Sequence, residues 1–378
     1  MKIGIVTLFD LKNVNYGNRL QSYALNRYLN KNVECEFAKT LYFREFKDFR
    51  RTKSEPFISR VQRKVSRDFI HKNDHVPPKC LTTRRESFND FCVSNMNIVD
   101  KPLSREDLGK QDFDVMVVGS DVVWYQWEYG IRPIKLLDFQ MAKPFKKISY
   151  AASLGNDNIP SENVNELKRC LNSFSAISVR EKSSVEVLRK IGINNVQHVL
   201  DPTLLLEKEE WFSLEKPVKE LEKKQFIFSY LLNKTKSDRE NITRIGKAMN
   251  LPIVTIPYAS GQLNDADAKF GDYKLINCSL QEWIWLIHKA EYVITDSFHG
   301  AAFSANFQKR FLVTKRKETF EMNNRMIDFL QLINQLNKYV NLDSINNLMG
   351  YNWDYKSITT ILEAKKADSK MFIQHELR

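Results

Sequence analysis

Six short runs of apolar residues in the first half of the chain predict buried β-strands. They are rich in Val and Ile, and most are separated by segments with a helical spacing of apolar residues, such as residues 21–29 and 184–191. This alternation is expected of a parallel sheet covered by helices on both faces. The predicted strands cover residues 3–7, 33–37, 113–118, 148–151, 176–179 and 196–200. The first half is therefore predicted to be Rossmann-like.

A second series of the same kind begins after residue 225. The charged stretch 207–224 has little apolar periodicity and predicts a boundary or linker helix, and residues 281–289 predict a helix within the series. Fewer strands are predicted here, at residues 226–232, 253–256, 292–295 and 310–314. The expected fold class is α/β, with two Rossmann-like doubly wound domains facing across a cleft. Ligands of such sheets bind at the carboxyl ends of the strands.

The predicted domains are residues 1–215, with a basic insertion at about 41–100, and residues 216–350, followed by a helical segment over 351–378. Within the insertion, residues 41–72 contain ten Lys or Arg against four Asp or Glu, a net charge of +6. A basic helix with an apolar stripe can lie on an anionic membrane surface, or it can pack that stripe on its own domain. Both interpretations stay open.

Composition adds limits to this picture. The net charge of +12, with 43% hydrophobic residues, indicates a globular protein with a polyanionic, phosphorylated or anionic-surface partner. Five cysteines without a Cys-x-x-Cys pair favour reduced thiols and a cytoplasmic location. The apolar start is too short for a signal peptide, and no run reaches the roughly 18 residues of a spanning helix. We therefore expect any membrane contact to be peripheral, at the inner face of the plasma membrane.

One histidine stands where a predicted strand meets a small-residue helix. Asp296 and Ser297 are residue types that cap a helix, and Gly300 permits close backbone packing, so His299 would lie in the first helical turn. Free backbone N–H groups and the helix dipole attract phosphate or carboxylate there, and an imidazole can exchange a proton with the ligand. Alternatively, His299 only hydrogen-bonds a neighbouring loop.

Other polar residues follow predicted strands at the same edge. A loop with a single glycine, Gly17, follows the first strand. Its asparagines suit hydrogen bonding to hydroxyls or a phosphate better than binding of a dinucleotide. Alternatively, the segment is only an Asn-rich turn. Asp121 could orient a hydroxyl or cap a helix. Arg180 could bind an anion bidentately or form an ion pair with Glu181 or Glu186. Asp201 could fix a loop or touch a ligand.

Several motifs in this order resemble the polysaccharide pyruvyl transferase family. They are NYGNRLQSYAL, VVGSDVVW, SYAASLG, SVREKSS, VLDPTLL about twenty residues on, and EWIWLIHKAEYVITDSFHGAAFSANF, which together span most of residues 1–330. The resemblance implies a GT-B-like pair of domains. It also implies transfer of the enolpyruvyl unit of phosphoenolpyruvate to two hydroxyls of a saccharide, which forms a pyruvate ketal and releases phosphate in cell-surface polysaccharide synthesis.

The resemblance also implies site residues. His299 would act as acid or base, and Arg180 would hold the anionic groups of the donor. We expect the second domain on the donor side, with Ser297, Gly300 and Arg325 helping to bind the donor. The first domain would take the acceptor, a saccharide that could be lipid-linked; the residues expected to bind it are Asn15, Tyr16, Asn18, Arg19 and Asp121.

One position departs from the family pattern. Some members carry an arginine two residues before the histidine, where this chain has Ser297. Phosphate binding would then require helix N–H groups or another cation such as Arg19, Lys315 or Arg325. No metal and no cofactor are expected, and phosphoenolpyruvate enters as a substrate.

Two other functions stay open at this point. One is a nucleotide-sugar-dependent glycosyltransferase of similar architecture, and the other is a non-catalytic binder of glycans or polyanions. The sequence contains no regular basic and aromatic module for nucleic acid, so none is expected as a partner, although charge alone leaves such a binder open.

Overall fold

The computed structural model describes most of the 378-residue chain. The described residues are 1–43, 78–125, 132–155, 158–259, 261, 264–316, 323–345 and 347–378. Most of the basic segment 41–72, and with it the question of membrane docking, lies outside the described residues.

The first sheet is parallel throughout and contains six strands among the described residues. Its order is β2-β1-β3-β4-β5-β6. The strands are β1 Lys2–Val6, β2 Phe37–Leu41, β3 Val115–Val118, β4 Lys146–Ala152, β5 Ala176–Val179 and β6 Val196–His198. The helices of this half are α1 Tyr16–Asn32, α2 Pro78–Asn95, α3 Arg105–Gly109, α4 Ser161–Leu171 and α5 Lys182–Lys190.

The second sheet is also parallel, with the order β12-β11-β10-β7-β8-β9. Its strands are β7 Ile227–Tyr230, β8 Ile253–Thr255, β9 Tyr273–Lys274, β10 Tyr292–Thr295, β11 Arg310–Thr314 and β12 Tyr339–Val340. The short helix α6 Lys208–Phe212 precedes this sheet. The later helices are α7 Lys236–Met249, α8 Asp265–Ala268, α9 Leu280–Lys289, α10 Phe298–Asn306, α11 Asn324–Leu332 and α12 Tyr355–Glu376.

The expected α/β fold with two Rossmann-like domains is confirmed by these two sheets. The expectation of fewer strands in the second half is wrong, because β9 and β12 are two-residue edge strands too short to leave a hydrophobic pattern. The second strand lies at Phe37–Leu41 rather than at 33–37, since α1 continues to Asn32 and Phe37 is the residue that pairs with Lys2 of β1. The predicted linker helix is reduced to the single short helix α6 and one turn of 3₁₀-helix.

In each sheet, the direction in which successive strands are added reverses at one point. The reversal lies between β1 and β3 in the first sheet and between β10 and β7 in the second. Loops leave the sheet in opposite directions there and open a crevice at the carboxyl ends of the strands, where ligands of such folds bind. The loops that follow β1, β3, β7 and β10 therefore have the best positions for binding.

Buried polar contacts join the two halves close to these loops. Tyr16 at the start of α1 stacks on Trp283 with ring centroids 5.8 Å apart, and its hydroxyl donates to the Cys278 carbonyl at 2.6 Å. From α2, the fully buried Arg84 donates to three carbonyl oxygens of the second half, at 2.7–3.1 Å; they belong to Ile276, Tyr258 and Pro257. A single buried arginine thus donates to three carbonyl oxygens across the domain boundary.

The last helix returns the chain to the first domain. The backbone N–H of Leu200 donates to Ser369 Oγ at 2.9 Å, and Lys366 Nζ pairs with Glu207 at 2.7 Å. Helix α12 therefore adds a second connection between the halves. Among the helices that the described residues form, none is both long and apolar enough to cross a bilayer.

Replacing Arg84 by Met should lower the free energy of unfolding by about 1–3 kcal/mol, because three carbonyl oxygens at the domain boundary, that of Pro257 in a buried contact, would lose their donor. Urea unfolding of the purified protein measures this change. The matched control is Arg85→Met on the same helix, where the side chain is only half-buried; a change within about 0.5 kcal/mol is expected there. Equal losses in both variants would contradict the assigned role of Arg84.

Candidate functional site

The turn between β10 and α10, residues 296–299, carries the second domain's part of the site. The Ser297 side chain caps α10 by accepting the Gly300 N–H at 3.4 Å. A Cβ on Gly300 would fall 2.5 Å from Thr295 Oγ1, so a glycine is required for the helix to begin this close to the strand. The Asp296 carboxylate accepts the backbone N–H groups of Leu232 and Asn233, each at 2.8 Å. This 296–299 turn is thereby tied to the loop after β7, at the reversal point of the second sheet.

His299 projects from this turn into the first domain. Its ring lies against Gly17 in the first turn of α1, where a Cβ would fall 2.1 Å from His299 Nδ1. His299 Nε2 lies 3.7 Å from Asp201 Oδ2, a distance of an ion pair rather than a hydrogen bond. The residue is only 6% exposed. The His299 ring of the second domain thus lies against the start of α1 in the first domain.

Arg180, which follows β5, is held by carboxylates on several sides. Its Nε donates to Glu181 at 2.8 Å, and its Nη1 lies 3.1 Å from Asp201 Oδ2 and 3.5 Å from Asp121 Oδ1. The guanidinium carbon lies 4.2 Å from the centroid of the Phe298 ring, a cation–π distance. Arg180 therefore makes the ion pair with Glu181 and still contacts the 296–299 turn of the second domain.

Asp201 and Asp121 connect these groups to the first sheet. Asp201 Oδ1 accepts the backbone N–H and the hydroxyl of Thr203, at 3.0 and 2.8 Å, while its Oδ2 accepts Ser120 Oγ at 3.0 Å. The Asp121 carboxylate accepts Asn18 Nδ2 and, at 2.9 Å, the Val122 N–H. The predicted acceptor residues Asn18 and Asp121 are therefore brought together next to Arg180.

The charges of this cluster stabilise one another. Burial raises the pKa of Asp201, but His299, Arg180 and the Thr203 N–H outweigh burial and lower that pKa well below its usual range. The pKa of Asp121 is lowered in the same way, since Arg180, His299 and Arg325 outweigh its burial. Burial lowers the pKa of Arg180, but Glu181, Asp121 and Asp201 reverse this and raise it. Both aspartates and Arg180 are consequently charged near neutral pH.

Two nitrogens of the cluster have no hydrogen-bond partner among the described residues. They are Arg180 Nη2 and His299 Nε2, one from each domain, and both atoms are buried. Buried polar groups are almost always paired in folded proteins, so a pair without partners is typical of a site that a ligand completes. A ligand with acceptor oxygens fits this arrangement.

A sequence model of the polysaccharide pyruvyl transferase family matches residues 15–317, which include every residue of this cluster. The chain belongs to the polysaccharide pyruvyl transferase family. No significant sequence match to this family member was found among curated proteins.

Several solved structures are similar to this family member at low sequence identity. The UDP-GlcNAc 2-epimerase from Neisseria meningitidis, bound to UDP-GlcNAc, is 14% identical over 96% of this chain and 100% of that protein, with a TM-score of 0.45. The epimerase from Methanocaldococcus jannaschii, with UDP-GlcNAc and UDP, is 14% identical over 96% and 99%, with a TM-score of 0.46. The Escherichia coli ADP-heptose LPS heptosyltransferase II is 11% identical over 98% and 100%, with a TM-score of 0.38.

Three of the predicted acceptor residues have partners within the protein. Asn15 caps α1 by accepting the Asn18 N–H, and the Tyr16 hydroxyl is used by the Cys278 carbonyl. The Arg19 guanidinium is fully buried and donates to the Asn13 carbonyl and Asn89. These three side chains therefore hold the first turn of α1 in place. They are not among the groups that contact Arg180.

Arg325, a predicted donor residue, lies close to the cluster. Burial of the guanidinium, together with the positive charges of Arg316 and Arg180, lowers the pKa of Arg325 to about 10. Arg316 itself was not among the residues expected from the sequence. It follows β11 by two residues, so the strand-end argument that selected Arg180 could have selected Arg316 as well.

The contact between Gly17 and His299 can be tested by substitution. Gly17→Ala should lower the free energy of unfolding by about 1–3 kcal/mol, because the new methyl group overlaps the imidazole. Gly109→Ala is the matched control, since nothing lies within 4 Å of a Cβ there, and it should be neutral or slightly stabilising. Urea unfolding measures both.

The same substitution in a His299→Ala background isolates the contact. Without the imidazole, Ala at position 17 meets no ring, and the better helix propensity of alanine should make Gly17→Ala neutral or stabilising by up to about 1 kcal/mol. If Gly17→Ala is equally costly with and without the imidazole, the two residues are not in contact in solution.

Proposed function

We propose that this protein transfers the enolpyruvyl group of phosphoenolpyruvate to a saccharide acceptor and forms a pyruvate ketal in cell-surface polysaccharide synthesis. Membership of the polysaccharide pyruvyl transferase family supports pyruvyl transfer in general. The observation that carries the proposal is a pair of buried nitrogens, Arg180 Nη2 and His299 Nε2, that have no hydrogen-bond partner among the described residues and lie beside the carboxylate of Asp201. A hydrogen-bond donor for an anion, Arg180, and a proton-transfer group, His299, would thus lie next to each other.

The chemistry requires a group that delivers a proton to C3, a base for the attacking hydroxyl, and groups that stabilise negative charge. A sugar hydroxyl adds to C2 of the enol phosphate and loses its proton, while C3 gains a proton and becomes a methyl group. A second hydroxyl then attacks C2 and loses its proton as the second C–O bond forms, while phosphate leaves with the electrons of its bond to C2 and takes up that proton. Proton transfer needs a group near the reacting carbon, and the negative carboxylate and phosphate need charge stabilisation. No oxidant or reductant takes part.

The cluster offers a residue for proton transfer, a residue for charge stabilisation and a residue that positions both. We assign proton transfer to His299, because an imidazole is the side chain of the 296–299 turn best suited to act as both general acid and general base. Arg180 Nη2 would donate to an anionic group of the donor. Asp201 would act as a positioning residue, because the same carboxylate oxygen contacts Arg180 and lies 3.7 Å from the imidazole.

The acceptor would approach from the first domain. Asn18 and Asp121 lie on that side of Arg180 and already bond to each other. An amide and a carboxylate are well suited to orienting sugar hydroxyls, since together they offer donors and acceptors. Ser297 and the Gly300 N–H would support the donor from the helix end, with Arg325 nearby.

A groove in the second domain favours a second candidate function. It has a volume of about 950 Å³ and lies beside the carboxyl ends of β7 and β8, with Lys234, Lys236, Asn264, Lys269 and Phe270 in its lining. Nucleotides bind at this edge of doubly wound sheets. A nucleotide-sugar-dependent glycosyltransferase would use this groove for its donor.

Incubation with phosphoenolpyruvate and candidate galactosides or N-acetylmannosaminides should release inorganic phosphate. His299→Ala should lower the rate by at least about a hundredfold, because the group that transfers the proton is removed. The control is His375→Ala, an exposed histidine on α12 that contacts Glu376, and its rate should equal that of the wild type. Undiminished turnover in His299→Ala would remove His299 from the mechanism.

A thermal-shift panel separates the candidate functions. The pyruvyl transferase should be stabilised by phosphoenolpyruvate, whereas a nucleotide-sugar enzyme should be stabilised by a nucleoside diphosphate instead. A non-catalytic binder should be stabilised by glycan alone and should release no phosphate from any donor. Stabilisation by a nucleoside diphosphate without an effect of phosphoenolpyruvate would reject the pyruvyl transfer proposal.

A further inference from the structure

Arg316, two residues after β11, has a buried nitrogen that nothing in the described part of the chain uses. Its Nε donates to the Asp296 carbonyl at 3.0 Å and lies 3.5 Å from Asp296 Oδ2, while Nη2 is buried without a hydrogen-bond partner. The Asp296 carboxylate already accepts two backbone N–H groups, so it is occupied. Arg316 therefore has a free pair of N–H donors at the domain boundary.

The backbone of Arg316 is fixed by a reciprocal pair of hydrogen bonds. Its N–H donates to Asn323 Oδ1 at 3.3 Å, and Asn323 Nδ2 donates back to its carbonyl at 3.1 Å. Asn323 immediately precedes α11, so the start of that helix holds the arginine in place. The side chain is 13% exposed. Arg316 is thus a preorganised donor and not a solvated surface cation.

Arg316 and Arg180 contact the same short turn from different domains. Arg316 bonds to the main chain of Asp296, and Arg180 lies on the ring of Phe298, so the two contacts flank Ser297. Each of the two guanidiniums has its Nη2 buried and unpaired within the described residues. The charges of both lower the pKa of Arg325, which is consistent with their closeness.

We infer that Arg316 and Arg180 form an anion subsite, one arginine from each domain, that binds the phosphate group of an enol phosphate donor over the 296–299 turn. This inference rests on the proposed function for the identity of the donor. A tetrahedral phosphate has enough oxygens to accept from both arginines and from the N–H groups at the start of α10. Arg316 supplies the cation that position 297 lacks.

Two of the other cations considered from the sequence are less suited to this subsite. The Arg19 guanidinium is used inside the first domain by Asn13 and Asn89. Lys315 places its Nζ 5.4 Å from the centroid of the Tyr339 ring, on β12 at the edge of the sheet. Of the adjacent residues Lys315 and Arg316, it is Arg316 that hydrogen-bonds to the 296–299 turn.

Inorganic phosphate, the product of the proposed reaction, is the probe for the subsite. Thermal unfolding is followed as phosphate increases at constant ionic strength, with chloride as the balancing anion. Arg316→Met should weaken apparent phosphate binding about tenfold or more, because a charge-assisted pair of hydrogen bonds is lost. Lys315→Met removes the neighbouring charge and should bind phosphate as the wild type does. Arg316→Lys should be intermediate, and it replaces Arg316→Met if the latter does not fold.

Turnover provides an independent measure. Arg316→Met should raise KM for phosphoenolpyruvate about tenfold or more while Lys315→Met leaves it unchanged. If no acceptor supports turnover but phosphate binding still depends on Arg316, the subsite stands and the proposed reaction fails. If turnover depends on His299 but neither phosphate binding nor KM responds to Arg316, the subsite is wrong and the proposed reaction stands. Stabilisation by chloride equal to that by phosphate also overturns the subsite.

Discussion

A single buried carboxylate, that of Asp201, joins the two domains at the candidate site. It contacts Arg180 of its own domain and lies 3.7 Å from His299 of the other. A buried carboxylate is costly unless it is paired and fully hydrogen-bonded, and Thr203 and Ser120 provide the remaining hydrogen bonds. The position of the imidazole is therefore linked to the ion pairs of the first sheet. Any change in how the domains meet would move the imidazole away from this carboxylate and leave Arg180 as its charged partner.

Much of the fold could be predicted from the sequence, because buried parallel strands have an apolar pattern of their own. Residues 176–179, 292–295 and 310–314 form strands with the predicted bounds. Strand-end reasoning also selected Asp121, Arg180 and His299 without any knowledge of their contacts. Edge strands of two residues were missed, since so short a run has no pattern that distinguishes it from a loop.

The contacts within the site could not be predicted, because they depend on how the two sheets face each other. Tyr16 and Arg19 stand in a polar motif, yet both are fully buried with partners distant in sequence. Gly17 is required by an imidazole 282 residues away, which only the packed structure reveals. Arg316 was missed for another reason: the strand-end argument applied to it as well, but its neighbour Lys315 was selected instead.

The charge balance of the cluster constrains how an anionic donor can bind. Among the described residues named at this site, and without His299, there are four carboxylates and three guanidiniums, an excess of one negative charge; they are Asp121, Glu181, Asp201, Asp296, Arg180, Arg316 and Arg325. Under the proposed function, a donor with several negative charges would meet this excess of negative charge. Its anionic groups would have to be bound locally, by the Nη2 groups of Arg180 and Arg316 and by the partial positive charge at the start of α10. Donor binding would then depend on the geometry of these hydrogen-bond donors rather than on the net charge of the cluster.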